Sequence, residues 1–218
     1  MRWGMVYDLI RCIGCGGCTA GCIMRNYLPP DMLFRRLLNK EISPSDNGGR
    51  AVRKWYPVQC NHCKDARCVE ACPTGATYQR EDGIVMIDHD KCIGCRYCMM
   101  ACPYQMRSYL EECTEWFPGQ GLTDWEKMRE KLNPLQTNVV HKCHFCYDRI
   151  DEGIKNGLTP GEDVEATPYC VISCPTKTIT FGDLDDPNSK VSRLIAAYKA
   201  KPLHPEYGTE PSIYYIER

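Results

Sequence analysis

Cys92-Ile93-Gly94-Cys95-Arg96-Tyr97-Cys98-Met99-Met100-Ala101-Cys102-Pro103 spaces four cysteines as C-x2-C-x2-C-x3-C-P, and related cassettes recur along the chain. Cys12, Cys15, Cys18 and Cys22 repeat the spacing without the proline. Cys60, Cys63, Cys68, Cys72 and Pro73 follow C-x2-C-x4-C-x3-C-P. The fourth set is split: Cys143 and Cys146, a long interval, then Cys170, Cys174 and Pro175. Sixteen of 17 cysteines fall into these sets, and Cys113 is left over. This is an internal repeat, and it governs the reading of everything else.

At 218 residues the chain can hold one or two domains. A formal net charge of −1 marks neither a nucleic-acid binder nor a membrane-surface binder. Cysteine at this density would suit a disulfide scaffold in a small secreted protein. Here the count is odd, and neighbours two to four residues apart suit a shared metal better than strained bridges. Met1-Arg2-Trp3-Gly4-Met5-Val6-Tyr7-Asp8 has neither the apolar stretch nor the twin arginine of an export signal. No apolar run approaches the roughly 20 residues that span a bilayer. A soluble chain is expected, cytoplasmic, or periplasmic by co-export with a signal-bearing partner.

A 4Fe–4S cube needs a thiolate at each of four irons. Three cysteines of a C-x2-C-x2-C loop converge on one cube, and the fourth, one helical turn on, reaches the other cube of a pair. Cassettes two and three are consecutive, so cassettes one and four must pair across them. The expected sets are Cys12, Cys15, Cys18 and Cys174 (set 1); Cys60, Cys63, Cys68 and Cys102 (set 2); Cys92, Cys95, Cys98 and Cys72 (set 3); and Cys143, Cys146, Cys170 and Cys22 (set 4). All sixteen are expected to bind iron, in four 4Fe–4S clusters. Paired C-x-x-C knuckles also bind zinc, but zinc requires neither the third cysteine nor the Cys-Pro step. Sixteen thiolates and four oxidised cores would take the chain to roughly −9. Candidate compensating donors beside the cassettes are Arg11, Lys64, Arg67, Lys91, Arg96, Lys142 and Arg149, with backbone N–H groups near Gly14, Gly16, Gly17 and Gly94.

The predicted fold is α+β: two ferredoxin-like double-cluster units, the second inserted in the first, with loop insertions and an extended C-terminal tail. Residues 1–55 with 135–182 form the outer unit, 56–112 the inner unit, 113–134 an insertion and 183–218 a wrapping tail. Strands are expected at Gly4–Leu9, Thr74–Tyr78, Gly83–Asp88 and Thr178–Gly182. Each C-x3-C fits one helical turn. Asp31–Lys40 reads as a short helix after Pro29-Pro30, leaving through the turn-rich Ser43–Arg50. Thr123-Asp124-Trp125-Glu126 reads as a capping box for a helix over Trp125–Leu132 that stops at Asn133-Pro134. Asp151–Thr167 is expected on the surface.

Sixteen cysteines fill sixteen corners, so His62 and His144, inside their C-x-x-C loops, are expected to bond or pack, not ligate. Cys113 is expected to be a packed or surface thiol. Trp116 and Trp125 suit packing on the core or anchorage of a partner. No nucleophile–base arrangement, phosphate loop or pterin signature stands out, so no catalytic site is expected.

Four cassettes, Tyr56-Pro57-Val58-Gln59-Cys60-Asn61-His62-Cys63, Cys72-Pro73-Thr74-Gly75-Ala76 and Lys142-Cys143-His144-Phe145-Cys146-Tyr147-Asp148-Arg149 resemble iron–sulfur electron-transfer subunits of the dimethyl-sulfoxide-reductase superfamily. Gly182-Asp183-Leu184-Asp185-Asp186-Pro187-Asn188-Ser189 and Tyr214-Tyr215-Ile216 are similar too. The likeness extends to subunits of arsenate, polysulfide, thiosulfate and tetrathionate reductases. Through Tyr78-Gln79-Arg80-Glu81-Asp82-Gly83-Ile84-Val85 it also reaches hydroxyarene transhydroxylases and catechol dehydroxylases. It covers nearly the whole chain, most weakly Asp31–Arg50 and Cys113–Val140. The resemblance implies a large catalytic partner carrying molybdopterin with Mo or W, and a membrane anchor or soluble electron carrier as a further partner. A polyferredoxin of a hydrogenase or formate dehydrogenase, and a zinc-bound structural adaptor, are the alternatives; neither nucleic acid nor a direct membrane span is expected.

Overall fold

The computed structural model describes residues 1–46 and 48–217. In chain order the elements are β1 (Trp3–Asp8), α1 (Gly17–Asn26), β2 (Arg35–Ile42), β3 (Val52–Gln59), α2 (Arg67–Glu70), β4 (Thr77–Gln79), β5 (Val85–Ile87) and α3 (Tyr97–Met100). There follow β6 (Ser108–Leu110), α4 (Asp124–Leu132), β7 (Val139–His141), α5 (Tyr147–Lys155), α6 (Tyr169–Ile172), β8 (Ile179–Asp183), α7 (Lys190–Tyr198) and β9 (Ile213–Ile216). The chain is a small mixed α/β protein with a ferredoxin-like dicluster region.

The cassette helices α2, α3 and α6 last a single turn, because the Cys-Pro step that follows each disfavours a further helical residue. Ile23 follows Cys22 where the others have proline, and α1 runs on to Asn26, ending at Tyr27 in a left-handed conformation. Cysteine cassettes pair through these helices: α1 packs against α6, and α2 against α3.

β1 is the middle strand of a mixed sheet, antiparallel to β8 and parallel to β9. Trp3, Met5 and Tyr7 face the main core with Phe145, Ile179, Phe181, Ile213 and Tyr215. Val6 faces the other way, into a smaller core with Val191, Ala200 and Ile216. Both faces are therefore covered, and β1 reads as a nearly continuous apolar run. The remaining strands form two-stranded antiparallel ribbons, β2–β3, β4–β5 and β6–β7.

Three expectations change. Asp31–Lys40 is not a helix: Arg35–Ile42 pairs residue for residue with Val52–Gln59, and of the turn-rich Ser43–Arg50 the described residues, 43–46 and 48–50, lie between the two strands. Helix formers such as Leu37, Leu38 and Lys40 yield to eight cross-strand pairs. The signal overlooked was the β-branched and aromatic run Val52-Arg53-Lys54-Trp55-Tyr56-Pro57-Val58. Secondly, the tail is not merely extended. It carries α7, capped by the Ser189 hydroxyl accepting from Ser192 N (3.2 Å), and delivers β9 to the main sheet. Between them it grips cassette two: Ser212 N donates to Asn61 O (2.9 Å), Ser212 Oγ to His62 O (2.8 Å) and Lys64 N to Glu210 O (3.0 Å). Thirdly, Asp151–Thr167 is not all surface. It begins within α5, and Gly153 lies so close to Ala166 that a Cβ would collide. The capping box is present, with Thr123 Oγ1 accepting from Glu126 N (3.3 Å) and a Glu126 Oε accepting from Thr123 N (2.8 Å).

Among the described residues no helix is long and apolar enough to cross a membrane.

Candidate iron–sulfur centres

The first C-x-x-C loop of each cassette turns at its second interior residue, which takes positive φ in all four: Gly14 (69°), His62 (42°), Gly94 (68°) and Phe145 (54°). That reversal folds the loop back so that successive sulfurs face one volume. Glycine does this without strain. His62 and Phe145 do it against a steric cost of order 1–3 kcal/mol. Both are buried and their rings meet at 3.8 Å, so packing offsets the strain. A second reversal follows three of the fourth cysteines, at Gly75, Gln105 and Lys177.

The cysteines gather across the cassettes. Cys12 lies with Cys15, Cys18 and Cys174. Cys63 lies with Cys60, Cys68 and Cys102. Cys72, Cys92, Cys95 and Cys98 line one small cavity, with Thr77 and Val140. Cys22, Cys143, Cys146 and Cys170 line another, with Arg35 and Phe145. The four gatherings are sets 1 to 4 of the sequence reading. Cys22 is thus beside the split cassette and Cys174 beside the first, although each is covalently part of the other. Neighbouring sets approach one another: Cys18 is near Cys170, relating set 1 to set 4, and Cys143 is near Cys60, relating set 4 to set 2. Cys15 and Cys95 are exposed, one in set 1 and one in set 3. Cys113 is half-buried against the apolar cluster of Leu28, Met32, Phe34 and Leu110, which also includes Cys22 of set 4.

Thiol environments differ. Burial pushes the Cys72 thiol up, but bonds from the Thr77 N–H (3.3 Å) and Thr74 outweigh it and bring it down to about 7. Cys174 repeats this: burial opposes, Thr178 Oγ1 (3.2 Å) and Thr178 N (3.4 Å) prevail, and the thiol is lowered. The two sites share the sequence Cys-Pro-Thr-x-x-Thr or its shorter form, Cys72-Pro73-Thr74-Gly75-Ala76-Thr77 and Cys174-Pro175-Thr176-Lys177-Thr178. Elsewhere burial dominates and raises Cys22, Cys63 and Cys146, the last two to about 12. Deeply buried thiols of that kind become thiolates by binding a metal.

Several N–H groups around the sets lack partners. Arg35 Nε and Nη1, Arg107 Nε and Nη2, and His62 Nε2 are buried without a hydrogen bond of ordinary geometry. His62 Nδ1 accepts from Val85 N (3.1 Å), which leaves the proton on Nε2, a second donor without a partner. Buried donors of this sort need an acceptor. Arg35 lies beside Cys170, Cys18 and Cys22, and Arg107 beside Cys68, Cys98 and Cys60. Sulfur-rich anionic clusters fit this donor set and the four thiols of each gathering. A single tetrahedral ion draws its ligands to about 2.3 Å from one centre. Among the described residues no three His, Cys, Asp or Glu side chains converge that way.

Of the basic residues singled out in the sequence, Lys142 is buried among the cysteines, whereas Lys64 is exposed on Glu210 and Lys91 on Asp88. Arg11 reaches Thr176 O (2.8 Å), Arg67 reaches Tyr207 O (2.7 Å), Arg96 stacks over Tyr109, and Arg149 holds Thr167 O (2.9 Å). Arg35 and Arg107 were missed. They lie outside the cassettes, and only an arginine at the start of a strand or after Cys-Pro hinted at them. His144 Nε2 meets Asn26 Oδ1 (3.0 Å), and Trp125 stacks on Tyr27 (5.6 Å) with Trp116 edge-on to it (6.2 Å). Trp116 nonetheless remains 36% exposed.

The 4Fe-4S dicluster domain family matches residues 52–127. Over 99% of this chain and 79% of the relative, it is 39% identical to a protein of Halobacterium salinarum provisionally named as the iron–sulfur subunit of a dimethyl sulfoxide reductase. It is 38% identical to a subunit of the selenate reductase of Mesobacillus selenatarsenatis, over 99% of the chain and 72% of the relative. It is 33% identical to the arsenate respiratory reductase iron–sulfur subunit of a Shewanella species, over 99% and 96%. The chain belongs to the iron–sulfur subunits of the molybdopterin oxidoreductases. It is an electron-transfer subunit of such a reductase, carrying 4Fe–4S clusters and working with a catalytic partner. In this iron–sulfur subunit the dicluster match takes in cassettes two and three, and sets 1 and 4 lie outside it.

Proposed function

We propose that the subunit holds four 4Fe–4S clusters and has no catalytic site of its own. Cys12, Cys15, Cys18 and Cys174 hold the first; Cys143, Cys146, Cys170 and Cys22 the next; Cys60, Cys63, Cys68 and Cys102 the third; Cys92, Cys95, Cys98 and Cys72 the last. The observation that carries this reading is the position of Cys22 beside Cys143, Cys146 and Cys170 of the split cassette. When bound, each cubane supplies a site that takes up and gives back one electron. Cysteine thiolates fix the clusters in place, the buried arginines and His62 donate toward them, and the apolar cores exclude water around sets 1 and 4.

On this reading residues 1–55 with 135–182 and residues 56–112 are two ferredoxin-like units, one inserted in the other. Contact between α1 and α6, and between α2 and α3, supports the division. The ribbons β2–β3 and β6–β7 tie the two units together, since β3 crosses residues 55 and 56. The exposed Cys15 and Cys95 mark two ends. A large molybdopterin subunit at one end, and a membrane anchor or soluble carrier at the other, fit a relay of this order.

Anaerobically prepared protein should contain about sixteen irons and sixteen acid-labile sulfides per chain. Stoichiometric zinc, or a clear shortfall after reconstitution, rejects the four-cluster reading. Cys22→Ser should alter the same EPR signal as Cys143→Ser. If it instead matches Cys12→Ser, each cassette closes on itself.

A further inference from the structure

Three buried cations stand where neighbouring cysteine sets meet. Arg35 is near both set 1 and set 4, beside Cys18 of the first and Cys22 and Cys170 of the second. Lys142 is between set 4 and set 2, beside Cys143, Cys60 and Cys68. Arg107 is between set 2 and set 3, beside Cys60, Cys68 and Cys98. Each boundary in the order 1, 4, 2, 3 holds one.

All three are almost completely buried, at 1%, 5% and 4% exposure in that order. Among the described residues none of them pairs with a carboxylate. Their hydrogen bonds go to neutral groups: Arg35 Nη2 to the Tyr7 hydroxyl (2.7 Å), Arg107 Nη1 to Thr77 Oγ1 (3.3 Å), and Lys142 Nζ to Cys143 O (2.8 Å) and Val85 O. A buried charge without a counter-charge is strongly destabilising. The negative groups in reach are the cysteine sulfurs. The ribbons deliver these side chains: Arg35 opens β2, Arg107 immediately precedes β6, and Lys142 immediately follows β7.

We propose that Arg35, Lys142 and Arg107 are positioning charges of the relay, each stabilising the reduced form of the clusters on both sides of its boundary. The proposal rests on the four-cluster reading above. Reduction adds one electron, and so one negative charge, to a cluster. A fixed cation nearby favours that form and raises the potential, more for adjacent clusters than for remote ones. Arg35 and Arg107 therefore act on complementary pairs, and Lys142 acts on one member of each.

The test is an EPR-monitored dithionite titration of the iron-loaded complex, with iron and sulfide measured on every sample. Arg35→Gln should make two of four steps harder by about tenfold in equilibrium constant, a downward shift of about 59 mV for one electron. Arg107→Gln should shift the other two, and Lys142→Met one from each pair. Arg35→Lys and Arg107→Lys, which keep the charge, should reverse most of that shift at full iron content. Unmoved steps in the Gln variants, equal shifts in all four steps, or equal losses of iron in the Lys and Gln variants would each overturn the proposal. Fewer than four steps in the wild type would overturn the four-cluster reading instead.

Discussion

Gly94 and Gly16 both turn a cassette loop through positive φ, but their surroundings separate them. Gly94 has φ 68°, and a Cβ there would strike the backbone oxygen of Asn138, with the Tyr109 ring also close. Gly16 has φ 72°, and a Cβ there would meet nothing within 4 Å. Both substitutions incur the left-handed cost, roughly 1 kcal/mol. Only Gly94→Ala must also push a backbone segment away from the loop that carries Cys92 and Cys95. Gly94→Ala should lose iron from the set containing those cysteines, whereas Gly16→Ala should keep its full complement with slightly lower stability. Iron analysis and visible absorbance of the two purified variants decide it; equal iron in both would show that the loop moves freely.

Between elements, one polar clamp joins the β4–β5 turn to α5. Arg80 donates to Asp151 through Nη1 (2.9 Å) and Nη2 (2.7 Å), and to Asp82 through Nε (3.2 Å) and Nη2 (3.0 Å). The Arg80 hydrogen bonds hold the Asp151 carboxyl below its ordinary 3.8. A carboxylate with a depressed folded pKa contributes stability that is complete above its unfolded value and fades as pH falls through the folded one. The clamp should therefore be insensitive between pH 7 and pH 5. Asp151 is 34% exposed, so screening limits the coupling to about 1 kcal/mol. A double-mutant cycle with Arg80→Met and Asp151→Asn in urea measures it at both pH values. Coupling that drops already at pH 5 would mean that the folded carboxyl is raised above its ordinary value instead of lowered.

For the molecule as a whole, the expectation concerns what it does alone. The relatives it matches are subunits named for reductases of dimethyl sulfoxide, selenate, arsenate and tetrathionate. The iron-loaded subunit, separated from its catalytic partner, should be reduced by dithionite and reoxidised by viologen dyes. It should consume none of those four compounds with reduced viologen as donor. Turnover of any of them by the lone chain, free of molybdenum and tungsten, would refute a non-catalytic role.

Local sequence determined the features whose physics is local. The C-x2-C-x2-C-x3-C-P spacing picks out the candidate ligands, because three sulfurs on one tight loop suit a cluster and a proline limits the helix behind it. Thr123 and Glu126 cap α4 within four residues, and β1 and β8 are legible as apolar runs. Tertiary structure decided the rest. Arg35–Ile42 becomes a strand because Val52–Gln59 lies alongside it, and its own helix formers cannot register that partner. β9 joins β1 only after the tail has crossed cassette two and α7 has covered Val6. Arg35 and Arg107 are ordinary basic residues in the sequence, and Lys142 stands out there only as the neighbour of Cys143. Their meaning is their burial among cysteines from two different sets, and in a long-range fold that neighbourhood is set by packing and not by spacing along the chain.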